Sequence, residues 1–195
     1  MGICLSQLTL RIVGGVLQKL LDSPLLINGR RFSLRMYVGH TGNEPFELFL
    51  CQTSFLILQA GNAESSNSAQ IISNMHYHHE KSFMRVPTFL QYLREHDMLQ
   101  KWWEQTLPQI GMGLKEFLRF DAVGEHPGIQ SFGIFGCDIL LDEALEPYLL
   151  ECNRCPGMAS NLKDHSTIFA ELLYIILYKY QTQSLPHDIH HWKAL

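Results

Sequence analysis

The segment Phe135–Pro156, FGCDILLDEALEPYLLECNRCP, constrains this chain more than any other, because it reads as a β-hairpin that forces carboxylates together. With Cys137–Leu141 and Tyr148–Cys152 as antiparallel strands around the polar stretch Asp142–Pro147, Leu141 faces Tyr148, Ile139 faces Leu150 and Cys137 faces Cys152. That face is wholly apolar. The period of two along a strand sets Asp138 directly across from Glu151 on the other face, with Asn153 further along. Like charges directly opposite one another destabilise a sheet. Solvated carboxylates are ordinary on antiparallel sheets. Here, however, both strands are strongly apolar, so both faces are expected to be covered, and a covered carboxylate pair needs a partner. Two carboxylates and an amide on a rigid ribbon are hard oxygen donors that suit Mg²⁺, which takes its remaining oxygens from water and substrate phosphates. The hairpin therefore predicts nucleotide-phosphate chemistry, with Asp138, Glu151 and Asn153 as metal ligands.

Around the hairpin, turn residues and hydrophobic periodicity mark out the other elements. Val16–Leu21 is a short apolar segment ending at the turn-like Asp22-Ser23-Pro24. Ser33–Val38, Phe46–Cys51 and Phe55–Gln59 read as successive strands, followed by a polar surface loop over Gly61–Gln70. Pro87–Glu95 begins with a proline suited to a first helical turn, and Leu107–Phe120 places Ile110, Leu114, Phe117 and Leu118 on one stripe. Between these helices, Trp102 and Trp103 read as core or rim aromatics. A final helix over Asp164–Gln181, capped by Asp164 or Ser166, is apolar enough to lie against a sheet. Strands, then helices, then a hairpin and a closing helix make an α+β arrangement.

Composition narrows the function classes. No run approaches the roughly 18 apolar residues of a membrane span, and a net charge of −4 argues against nucleic acid as a partner. Five cysteines form an odd set without framework spacing, as expected of a reducing compartment. Cys152 and Cys155 make a CxxC, with no second pair at zinc spacing. His76, His78 and His79, with His187, His190 and His191, are read as surface histidines before they are read as a metal site. Met1–Ser6, MGICLS, fits the loose myristoylation pattern, with Cys4 available for a second acyl chain. No Ser-His-Asp or Cys-His constellation stands out.

Val16–Tyr37, VLQKLLDSPLLINGRRFSLRMY, and Phe132–Gly157 together resemble the tubulin tyrosine ligase-like family over roughly residues 12–180. The resemblance implies the C-terminal portion of an ATP-grasp fold, with an antiparallel sheet flanked by helices, that clamps ATP and Mg²⁺. It implies ATP-dependent ligation of an amino acid, glutamate above all, to a protein acceptor such as an acidic tubulin tail. A cytoplasmic location, on microtubules or in the cilium, follows from that acceptor. By position, the family's metal ligands fall on Asp138, Glu151 and Asn153. Its adenine hinge falls on Gln18, Lys19, Leu20 and Leu21. Arg31 matches a phosphate-binding charge and Arg35 the family's catalytic arginine. Ser73 and Asn74 match a Thr-Asn pair near the nucleotide.

The sequence also departs from the family pattern. Ser33 stands where the family has an aspartate, and Thr53–Ala60 contains no basic residue to hold the added amino acid's carboxylate. The late lysine that helps to bind that amino acid is lost near Phe169, and Lys163 is not assigned its role. The expected organisation is an N-terminal remnant over 1–15, a partial ATP-grasp domain over 16–182 and a polar tail over 183–195. Such a chain is expected to be a fragment, a truncated form or a reduced paralogue. The alternatives to a protein–amino acid ligase are a non-catalytic module that keeps nucleotide or microtubule binding, and an ATP-grasp ligase with another acceptor.

Overall fold

Strand β1 (Phe32–Asn43) organises the molecule by pairing along both of its edges. The computed structural model describes residues 21–43, 46–59, 83–123, 132–154, 156 and 165–195. After β1 come β2 (Phe46–Cys51), β3 (Phe55–Leu58), β4 (Phe83–Arg85) and helix α1 (Val86–Glu95). Helix α2 (Leu99–Lys101) runs through a π turn (Trp102–Thr106) into α3 (Leu107–Val123). The hairpin strands β5 (Phe132–Leu141) and β6 (Pro147–Asn153) are followed by α4 (His165–Thr182) and β7 (Trp192–Ala194). Among the described residues the seven strands belong to one sheet, and their pairings are antiparallel. One edge of β1 pairs first with β3, over Phe32–Arg35, and then with β2 from Val38 onward. Its other edge carries β5 from Leu34 to Thr41.

The two sheet faces have separate cores, which the alternation along β1 dictates. Phe32, Leu34, Met36 and Val38 pack with Phe89 and Leu93 of α1, Trp102, and Ile110, Leu114 and Leu118 of α3. Tyr37, Phe49, Cys51, Phe55 and Ile57 pack on the opposite face with Ile168, Leu172 and Ile175 of α4 and with Trp192. A fully buried side chain of this size contributes about 1.5–3 kcal/mol, so both helical layers are firmly held. Gly39 permits the close approach of α4, since a Cβ there would lie 2.6 Å from Leu172 Cδ1.

The α+β expectation therefore stands, as do the order and type of the three strands, two helices, hairpin and closing helix read from the sequence, whereas β4, the helical turn over 99–106 and β7 are not among them. β1 is longer than Ser33–Val38, because β2 and β5 continue its ladders beyond that segment. In α3 the buried stripe runs through Ile110, Leu114 and Leu118, while Phe117 is 48% exposed. Trp102 belongs to the core and Trp103 to the surface. Residues 183–195, expected to be a polar tail, include β7, which pairs with β2. Trp192 is buried there, and its indole N–H donates to Ile168 O at 3.0 Å. Leu185, Ile189 and Leu195 pack against the two cores as well, so scattered apolar residues and a free strand edge hold a segment whose composition is mostly polar.

Candidate active site

The carboxylates meet in a row that crosses three neighbouring strands. Arg35 of β1 is opposite Asp138 of β5, and Asp138 is opposite Glu151 of β6. Gly136 and Asn153 form the next pair on the same face. The register thus unites Arg35, Asp138, Glu151 and Asn153, as the hairpin pattern predicts for the last three. Arg35 supplies the cationic partner that the pattern lacked. Its Nε donates to Asp138 Oδ1 at 2.6 Å and its Nη2 to Oδ2 at 2.7 Å, with both side chains buried. Such bidentate geometry is the strongest form of a charge-assisted hydrogen bond.

Burial pushes the Asp138 carboxyl above its ordinary value, although Arg35 pulls the other way and Glu151 adds a further push upward. For Arg35, burial opposes the charge, but the hydrogen bonds and charge of Asp138 prevail and its pKa is raised. Tyr37, one row on, hydrogen-bonds to Arg35, and burial lifts its phenol to about 12. Glu151 is exposed on β6 and accepts a hydrogen bond from Asn153 Nδ2 at 2.9 Å.

The turn end of the hairpin differs from its sequence reading. Ile139 pairs with Leu149, Leu140 with Tyr148 and Leu141 with Pro147, so the register shifts by one residue between Asp138 and Ile139. Leu141 is therefore not opposite Tyr148, nor Ile139 opposite Leu150. Leu150 is the extra residue of a β-bulge, and Leu149 takes the inward position on the core. The cause lies in the turn, which is not purely polar. Leu145 is buried with a positive φ of 61°, and Thr106 Oγ1 donates to its carbonyl at 2.9 Å. Asp142 Oδ1 accepts from Ala144 N at 2.9 Å and Glu146 N at 2.8 Å, fixing the loop around that buried leucine. Tyr148 points outward and is 44% exposed.

Cys137 and Cys152 are bonded as a disulfide across the hairpin. Their opposition follows from the sequence, whereas the bond itself is not expected of an odd cysteine set without framework spacing. Elsewhere, Arg31 precedes β1 half-buried, with its Nε enclosed and without a hydrogen-bond partner among the described residues. Neighbouring Arg30 is engaged through its Nε with Gln59 O at 2.6 Å. Ser33 is buried on β1, and Leu21 is half-buried. Gln18, Lys19, Leu20, Ser73 and Asn74 lie outside the described residues, as do Lys163, His76, His78, His79 and Met1–Ser6. The backbone N–H groups of His190 and His191 donate to the Glu171 carboxylate at 2.7 and 2.6 Å. Among the described residues no group of at least three His, Cys, Asp or Glu could hold a metal ion, so the Asn153 amide is the third donor this row offers beside its two carboxylates.

The sequence model of the tubulin-tyrosine ligase family matches residues 12–189. This chain belongs to the tubulin-tyrosine ligase family. The tubulin polyglutamylase TTLL7 of Xenopus tropicalis is 28% identical over 180 residues, which cover 77% of this chain and 20% of that protein. The mouse tubulin polyglutamylase TTLL6 is 24% identical, covering 82% of this chain and 22% of the relative. The tubulin glycylase 3E of Tetrahymena thermophila is 23% identical, covering 87% and 13%. This chain thus spans about one fifth of the length of the TTLL7 and TTLL6 relatives it matches. The α+β sheet with helices on both faces is consistent with part of a tubulin-tyrosine ligase domain. Among the described residues, no helix is long and apolar enough to cross a membrane.

The donor set of the row fits a hard dication. Glu151 and Asn153 present a carboxylate and an amide, and each Asp138 oxygen bound by Arg35 has a second lone pair available. Oxygen donors of this kind suit Mg²⁺ rather than a softer transition metal.

Proposed function

We propose that this chain carries part of the active site of an ATP-dependent ligase that joins an amino acid, glutamate in particular, to a protein carboxylate on tubulin or a similar acidic tail. The observation that carries the reading is the row Arg35–Asp138–Glu151 with Asn153 beside it, set in a family whose relatives here are tubulin polyglutamylases and a glycylase. In the proposed reaction ATP phosphorylates the acceptor carboxylate with ADP as the leaving group, and the incoming amine attacks the acyl phosphate, forming an amide and releasing phosphate.

Each residue has a positioning or electrostatic task, and no covalent catalysis by the chain is required. Asp138, Glu151 and Asn153 would hold Mg²⁺, which would supply positive charge to offset that on the phosphoryl group being transferred. Arg35 holds Asp138 in place through paired hydrogen bonds and brings positive charge to the same site. Arg31, with an enclosed and unpartnered Nε, supplies charge for a phosphate. Gln18, Lys19, Leu20 and Leu21 are proposed as the adenine hinge, and Ser73 and Asn74 as further nucleotide contacts. Glutamate rather than glycine is favoured by the polyglutamylases among the relatives, and the reading takes the protein to work where such an acceptor lies, in the cytoplasm or the cilium. A non-catalytic role has Ser33 and the non-basic Thr53–Ala60 in its favour, but the intact acidic row weighs against it.

The test is Mg²⁺-dependent ATP binding by calorimetry, comparing the chain with Glu151→Gln. The substitution removes a charge from an exposed side chain, so the fold should persist, and Mg²⁺-dependent affinity should fall by at least about tenfold. Unchanged affinity in Glu151→Gln would overturn the metal assignment.

A further inference from the structure

We propose that Cys137 and Cys152 form a redox-operated clamp that fixes the register of the hairpin, and that closing it sets Glu151 opposite Asp138. What the clamp controls rests on the proposed function, but the clamp itself rests on the strand geometry. The two cysteines are directly opposed, with Cα atoms 4.2 Å apart and sulfurs bonded. They form the row next to Asp138 and Glu151, on the opposite face of the sheet.

This hairpin contains two registers. From Leu141 to Ile139 the pairing follows one, from Asp138 to Gly136 it follows another, and Leu150 is the step between them. If the turn-end register continued through the whole hairpin, Asp138 would oppose Leu150 and Glu151 would oppose Cys137. A one-residue slip carries a side chain to the other face of the sheet, so the acidic row would be dismantled. The turn end is pinned by Asp142 and the buried Leu145. β6 pairs only with β5 among the described strands, so none of them offers the acidic end a second ladder. The Cys137–Cys152 bond is the covalent constraint that excludes the slipped register.

The chemistry balances with a low-molecular-weight disulfide, such as oxidised glutathione, as oxidant. Cys152 is half-buried and Cys137 fully buried, so the Cys152 thiolate is the one that reaches the reagent. It attacks one sulfur of the external disulfide, forms a mixed disulfide and expels a thiolate. Cys137, as thiolate, then attacks Cys152 Sγ and expels the second. Two protein thiols are oxidised and one external disulfide is reduced to two thiols, which take up the two protons. Cys51 is a poor competitor, because it is wholly buried and burial raises its thiol to about 11.

The experiment equilibrates the full chain in reduced or oxidised glutathione buffer. Peptide mass mapping identifies the bridge, hydrogen–deuterium exchange follows residues 136–139 and 150–153, and paramagnetic resonance measures Mn²⁺ binding. Oxidation should link Cys137 to Cys152, slow exchange in both segments by at least about tenfold and tighten Mn²⁺ binding by a similar factor. The double variant Cys137→Ser/Cys152→Ser should behave alike in both buffers. Reduction of the unaltered chain gives the same comparison without a core substitution. Equal exchange in the two buffers, or a bridge mapped to Cys152 and Cys155, would overturn the clamp. A redox difference in exchange without Mn²⁺ binding in either state would support the clamp and count against the proposed function.

Discussion

Arg35 and Asp138 are 8% and 10% exposed and bind through two hydrogen bonds of 2.6 and 2.7 Å, so removing either partner strands a charge in the sheet. Breaking a buried pair from one side costs about 3–5 kcal/mol, whereas replacing both partners by apolar groups of similar volume is close to neutral. We expect Asp138→Leu and Arg35→Met each to destabilise the chain by about 3–5 kcal/mol. The double variant should recover most of that loss. With a urea dependence of about 2–3 kcal/mol per molar for a domain of this size, each single change lowers the unfolding midpoint by about 1–2.5 M. Urea titration followed by tryptophan fluorescence is a suitable assay, because Trp102 and Trp192 are buried. If a single change costs less than about 1 kcal/mol, the pair behaves as a surface ion pair and the reasoning fails. A double-mutant cycle with no coupling would refute it as well.

Trp192→Ala should cost about 3–5 kcal/mol by emptying a core position and should release β7, which shows as faster amide exchange in Phe49–Cys51 of its partner strand. Thr106→Val leaves the buried Leu145 carbonyl without its hydroxyl donor, a loss of about 1–3 kcal/mol measurable by thermal unfolding. Cys51 binds its proton more tightly in the folded chain, because burial lifts the thiol from 9.0 to about 11. The native state therefore holds more protons between those values, and stability should fall as the pH rises through that window. Cys51→Ala should flatten this decline in a series of urea titrations across alkaline pH, and an unchanged slope would count against the burial argument.

Much of the fold was legible because burial and periodicity coincide. Phe46–Cys51 and the start of β3 follow from apolar runs bounded by turn residues, and the helices from their stripes. The opposition of Asp138 to Glu151 was legible because the apolar residues between Cys137 and Cys152 leave one side for the carboxylates. The bulge was not, because it depends on Leu145 reaching the core across a turn whose composition looks polar. Nor did sequence reveal that Arg35 would bind Asp138, since 103 positions separate them and strand order alone brings them together. The signal was present in retrospect: a lone arginine and a lone aspartate, each within a strongly apolar strand, satisfy one another's need for a partner.

The π turn has a consequence for how this chain can change in length. Trp102, Thr106, Ile110, Leu114 and Leu118 are buried in steps of four. A step of four overshoots an ideal α-helical turn by about 40°, so a longer row of this kind would wind away from the sheet. The wider turn at Trp102–Thr106 gives back part of that rotation by accommodating an additional residue. Removing the exposed Gln105 should therefore convert the segment to ordinary α-helix and leave the phase of Ile110 and Leu118 nearly intact. The same deletion placed within α3, at Lys115 for instance, would rotate everything beyond it by about 100°. This helix thus has one place where its length can vary by a residue without turning its apolar side away from the sheet.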